Sequence, residues 1–113
     1  MKIWHDDVRP PPRGWVWVQT NEDALHILHG CFAYVEEISL DHDLGADPYE
    51  ADGIMLQGHA EETGLSLVKT MVHLHLVPPR VTIHSWNPIG ARHMAEYLNT
   101  SGYDVIVAPY VHP

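Results

Sequence analysis

A single cysteine, Cys31, stands in the 113-residue chain, so no intramolecular disulfide can form and a reducing cytoplasm is the expected location. Basic residues are scarce: six Lys and Arg face fifteen Asp and Glu, for a formal charge of −9. Such a field repels anionic membranes and duplex DNA, so a phosphate-bearing ligand must be drawn in locally by a cation or a helix end. No apolar run is long enough for a signal-peptide core or a membrane span. What remains, with 45% hydrophobic residues, is enough for one domain over residues 1–113 with one core.

The segments alternate between strand and helix patterns. Residues 2–5 read as a first strand ended by Asp6-Asp7, after which Arg9-Pro10-Pro11-Pro12 forbids a helix. Residues 15–19 alternate valine with tryptophan as a second strand. Asn21 reads as an N-cap with Glu22 and Asp23 behind it, and Gly30 as the stop of a first helix. Residues 38–45, Ile-Ser-Leu-Asp-His-Asp-Leu-Gly, form a third strand broken off at two carboxylates, Asp41 and Asp43. Residues 45–63 show no period and read as a functional loop or lid. Leu65, Val68, Val72 and Leu76 carry helical spacing up to Pro78-Pro79. A fourth strand over 80–84 leads through Ser85 to Asn87-Pro88, an N-cap with proline at the first helical position. Gly102 ends that helix, and 103–108 is a fifth strand.

Strands separated by helices imply parallel pairing, and in parallel sheets chemistry gathers at the carboxyl ends of the strands. Three ends carry it: Asp6 and Asp7, Asp41 and Asp43, and the exit His84, Ser85 and Asn87. Clustered carboxylates suit Mg²⁺ or Mn²⁺, since hard cations take oxygen ligands and offset the mutual repulsion. The bland readings are turn chemistry for the acidic pairs, capping for Asn87, and ordinary packing for the histidines. His26, His29, His73 and His75, on helices, are read that way.

Four blocks, Lys-Ile-Trp-His-Asp-Asp-Val-Arg-Pro, Ile-Ser-Leu-Asp-His-Asp-Leu-Gly, Thr-Gly-Leu-Ser-Leu-Val and Ile-His-Ser-Trp-Asn-Pro-Ile-Gly-Ala-Arg, resemble the cyclic-phosphate processing receiver family, related to response-regulator receiver domains. The resemblance implies an α/β, flavodoxin-type, five-stranded parallel sheet in the order 2-1-3-4-5. It further implies a divalent cation and a role on cyclic phosphates such as RNA 2′,3′-cyclic ends or cyclic nucleotides. Two departures from ordinary receivers stand out. Ala108-Pro109 replaces the lysine and proline that receivers carry after the fifth strand, which argues against phospho-signalling. The first and last receiver helices are missing, so helices lie mainly on one face, and the opposite face is tryptophan-rich and open to residues 45–63 or to a second copy in a homodimer.

The expected assignments follow. Asp6, Asp7, Asp41 and Asp43 hold Mg²⁺ or Mn²⁺; Ser85, Asn87, Arg9 and Arg92 hold phosphate; His42 and His84 serve as general acid or base, and Asp41 or a water is the nucleophile. The function expected is a metal-dependent phosphoesterase on cyclic phosphates. The alternative is a non-catalytic receiver-like module that binds a nucleotide or a protein partner.

Overall fold

Period-two alternation along the strand segments buries one face of a sheet, and that face organises the rest. The computed structural model describes residues 1–41, 63–85 and 88–108. Within these, β1 (Lys2–His5), β2 (Val16–Val18), β3 (Glu37–Leu40), β4 (Arg80–Ile83) and β5 (Val105–Val107) pair in parallel in the order β2-β1-β3-β4-β5. The helices are α1 (Asn21–Gly30), α2 (Gly64–His73) and α3 (Pro88–Thr100), with a 3-10 turn at Phe32–Tyr34 that the sequence reading missed. The crossovers carrying α1, α2 and α3 all advance in the same direction across the sheet, so right-handed connections place the three helices on one face. Ile3, Ile38, Leu40, Val81 and Ile83 are completely buried beneath Leu28 of α1, Met71 of α2 and Met94 and Leu98 of α3. Each such side chain contributes roughly 1.5–3 kcal/mol by leaving water.

The opposite face has no helix among the described residues. Strand register lines up Trp17, Trp4, Ser39, Thr82 and Ile106 across it in one row. Trp4 is nonetheless only 7% exposed, because the Trp15 ring meets it edge-on at 5.9 Å and the His84 ring stacks on it at 3.7 Å. Aromatic rings thus cover the middle of this face, leaving Trp17 and Ile106 exposed toward the two edges. On the two outer strands Val18 is buried in the core and Val105 packs against it, whereas Val16 and Val107 are 39% and 51% exposed. The lid expected over residues 45–63 lies outside the described residues, apart from Thr63. Among the described residues no helix is long and apolar enough to cross a membrane.

Helix ends differ from the sequence reading in instructive ways. Thr20, not Asn21, caps α1, its hydroxyl accepting from the Asp23 amide at 3.0 Å, and Asn21 is the first helical residue. Gly30 is the last residue of α1 and does not adopt the left-handed conformation of a glycine cap. Helix α2 begins in a capping box between Thr63 and Ser66, and it ends before the prolines are reached. The His75 amide donates to the Val72 carbonyl and the Leu76 amide to that of Met71, closing a Schellman motif on a histidine at φ 57°. Helix α3 ends in the same motif through Gly102 at φ 88°, where the left-handed conformation carries no Cβ penalty. His75→Gly is therefore expected to stabilise the protein by about 1 kcal/mol, read as a higher urea midpoint with unchanged slope.

Candidate metal centre

Parallel pairing continues for one residue past the strands and builds the site. The Asp6 amide donates to Val18, Asp41 to His5, His84 to Leu40 and Ala108 to Ile83, all at 2.8–3.0 Å between backbone atoms. Neighbouring strands thereby bring Asp6, Asp41 and His84 side by side at one sheet end. Carboxylate oxygens of Asp6, Asp7 and Asp41 lie within 4.8 Å of one another, with Asp6 and Asp41 buried and Asp7 half-buried. An all-oxygen donor set of this compactness fits a hard divalent cation.

Asp6 is held from several sides. Its Oδ1 accepts from the amides of Val8 and Arg9 at 2.9 and 2.8 Å, while its Oδ2 faces His84 Nε2 at 3.0 Å and Arg9 Nε at 3.8 Å. Burial alone raises the carboxyl, but the bonds from His84 and from the Arg9 and Val8 amides outweigh it and hold Asp6 below the usual carboxylate range. For His84, burial outweighs the pull of Asp6, and the imidazole is pushed below its ordinary value. Neutral His84 thus donates Nε2–H to the Asp6 carboxylate, and its Nδ1 accepts from the Ser39 hydroxyl at 2.7 Å. Ser39, the His84 ring and the stacked Trp4 ring form a rigid backing for one carboxylate. The array orders Ser, His and Asp as in a hydrolytic triad, but Ser39 is only 1% exposed and cannot reach a substrate.

A second buried network ties the same sheet end to two helices. His5 Nε2–H donates to Asn21 Oδ1 at 2.8 Å, and Asn21 Nδ2 donates to the Thr63 carbonyl and the Ser66 hydroxyl, both at 3.0 Å. Asn21 therefore serves tertiary packing where the sequence suggested a cap. Burial pushes His5 down to about 4, so it stays neutral in the folded state when free histidine near 6.5 would charge. The unfolded chain then binds the extra proton, so folding stability falls as pH drops from about 6.5 to about 4, by roughly 3 kcal/mol for this residue. His5→Gln keeps a donor toward Asn21 without titrating. Urea titrations across that range should show a shallower acid loss in the variant; an unchanged slope removes His5 as its source.

The expected site residues fare unequally. Asp6, Asp7 and Asp41 come together, and Ser85, 7% exposed, follows His84 at the end of β4. Arg9, expected on phosphate, lies against Asp6 and points Nη1 at the His84 carbonyl, 3.5 Å away. His84, expected as an acid or base, has both ring nitrogens engaged by Ser39 and Asp6, so proton transfer to a ligand requires Nε2 to leave the carboxylate. Arg92 is exposed on α3, in a groove shared with Ser85. His42, Asp43 and Asn87 lie outside the described residues. The supports Ser39 and Trp4 were missed; their signal was a polar residue and an aromatic in register on the face that carries no helix.

A five-stranded parallel sheet in this order, with an acidic cluster where β1 and β3 end, defines a receiver-like domain. Comparison with sequence families makes the assignment specific. The model of the family described as Cyclic-phosphate processing Receiver domain matches residues 1–100, and the chain belongs to that family. No curated protein and no solved structure matches the chain.

Proposed function

We propose that the protein is a divalent-cation-dependent phosphoesterase acting on cyclic phosphates, either RNA 2′,3′-cyclic ends or cyclic nucleotides. The observation that supports this most is the convergence of Asp6, Asp7 and Asp41 within 4.8 Å, in a chain of the cyclic-phosphate processing receiver family. These three residues hold Mg²⁺ or Mn²⁺ in this reading, with Asp6 fixed from behind by His84 and Ser39. When bound, the cation supplies polarisation of a phosphoryl oxygen and a lowered pKa for an attacking water.

The chain's own groups do the remaining work. Ser85 offers a hydroxyl at the exit of β4, and Arg92 offers a guanidinium on the adjoining helix, to bind and orient the phosphate. Arg9, held against Asp6, limits the negative charge that an incoming phosphate meets. Opening the cyclic diester consumes one water, forms one P–O bond and breaks another, and a proton ends on the released ribose oxygen. Ala108 occupies the place after β5 where receivers carry a lysine, which weighs against a stable aspartyl-phosphate switch.

The test is incubation of the protein with Mg²⁺ or Mn²⁺ and a panel of 2′,3′-cyclic-phosphate RNAs and cyclic nucleotides. Ring opening that needs the metal is expected. Ligand recovered unchanged from a tight complex would instead mark a nucleotide binder without turnover, and stable labelling from acetyl phosphate would mark a phosphoaccepting receiver.

A further inference from the structure

A groove of about 450 Å³ runs between α3 and the exposed edge strand β5. Its lining includes Ser85, which directly follows the histidine bonded to Asp6 and so ties the groove to the acidic end of the sheet. Its floor is Ala91 and Ala95, one helical turn apart and only 3% and 9% exposed, so small side chains make its depth. The opposite wall is Val107, half exposed at the sheet edge. Among the described lining residues Arg92 is the single cation and Glu96, one turn along α3, the single anion, and Asn99 lies two turns beyond Arg92.

We propose that this groove is the nucleoside subsite of the reaction above. It takes the ribose and base of a nucleoside 2′,3′-cyclic phosphate whose phosphate lies at Ser85 and Arg92. This assignment rests on the phosphoesterase reading and narrows its substrate class.

Three properties support this occupant. The volume falls in the range of small-molecule sites of roughly 300–1,000 Å³. The seven steps of helix from Arg92 to Asn99 rise about 10 Å, the length of a nucleoside from its phosphate-bearing oxygens to the far edge of its base. The lining chemistry suits the same ligand: a hydroxyl and a guanidinium for phosphate at Ser85 and Arg92, apolar Ala91, Ala95 and Val107 against which a base can lie flat, and Glu96 and Asn99 further along the helix to accept from and donate to the base edge.

The test compares two ligands on the ¹⁵N-labelled, Mg²⁺-loaded protein: a nucleoside 2′,3′-cyclic phosphate and the base-free methyl riboside 2′,3′-cyclic phosphate. The nucleoside form is expected to bind about tenfold or more tightly and to shift the amides of Ala95, Asn99 and Val107, which the base-free form leaves in place. Ala95→Phe, which fills the trough, should erase that preference, and Asn99→Ala, at an exposed position, should reduce it. Equal affinity for the two ligands overturns the subsite, as do shifts of these amides that follow protein concentration in the absence of ligand, the mark of a second copy in the groove. Turnover of both ligands with equal efficiency keeps the reaction and removes the subsite. Nucleoside-dependent binding without turnover keeps the subsite and removes the reaction, and failure of both ligands to bind removes both.

Discussion

Asp41→Asn is expected to raise the melting temperature of the metal-free protein and, at the same time, to abolish the further rise expected when Mg²⁺ is added to the wild type. Three carboxylates with oxygens inside 4.8 Å, two of them buried, repel one another. At the effective dielectric of a protein surface one such pair costs on the order of 3 kcal/mol before compensation. Arg9, His84 and two backbone amides offset that for Asp6, so the net relief on neutralising Asp41 is nearer 1 kcal/mol. In a domain of this size that corresponds to about 4 °C or more. The isosteric amide preserves volume and one acceptor oxygen, so packing against the end of β3 is retained.

Metal binding moves the other way. Loss of a groups-in-contact ligand should weaken Mg²⁺ by at least about 100-fold, the upper end of what supporting residues alone contribute. A ligand present at 100 times its dissociation constant stabilises the fold by about 2.7 kcal/mol, and the variant forfeits that gain. Thermal melts with and without Mg²⁺, together with calorimetric titration of the cation, read both effects. A variant that keeps the full Mg²⁺-induced rise takes Asp41 out of the metal centre. A lower melting temperature without metal would show that repulsion in the cluster is already neutralised.

The sheet and its acidic end were legible because both rest on short-range rules. Alternation in residues 38–41 and 80–84 sets which face is buried, and a strand that stops at carboxylates puts them at the sheet end whatever the neighbours are. The missing first helix was legible from Pro10, Pro11 and Pro12, which cannot donate and fix φ. Features decided by distant partners were not legible. Asn21 has every local mark of an N-cap, yet its amide is taken by His5, Thr63 and Ser66, and Thr20 caps in its place. Helix α2 stops at a histidine in a left-handed conformation, a position where sequence rules look for glycine, because Leu76 folds back onto Met71. Ser39 reads as filler inside a strand, and only the register that sets it between Trp4 and Thr82 shows that it orients His84. A tryptophan-rich face was foreseen, but not that Trp4 would be its buried member, shielded by Trp15 and His84.

Gly64→Ala should destabilise the protein by about 1–3 kcal/mol and weaken Mg²⁺ as well, reversing the sign that helix propensity assigns to it. In an exposed helix the same exchange gains up to about 1 kcal/mol. Gly64 opens α2, and there its Cα presses on the end of β3: a Cβ at this position would overlap the Asp41 carbonyl oxygen and stand 2.8 Å from Met94 Cε. The methionine can swing away, but the carbonyl belongs to the residue whose side chain enters the acidic cluster, so relief must move either α2 or Asp41. Moving α2 also strains the bonds from Asn21 to Thr63 and Ser66, which join that helix to His5. Gly30→Ala is the internal control, since a Cβ there meets nothing within 4 Å in the last turn of α1 and should be neutral to stabilising. Denaturant unfolding of both variants, with Mg²⁺ titrations alongside, gives the readout. If Gly64→Ala matches Gly30→Ala in stability and binds Mg²⁺ as the wild type does, the start of α2 does not set the position of Asp41; if it loses both, the glycine is what lets a helix end buttress the metal centre.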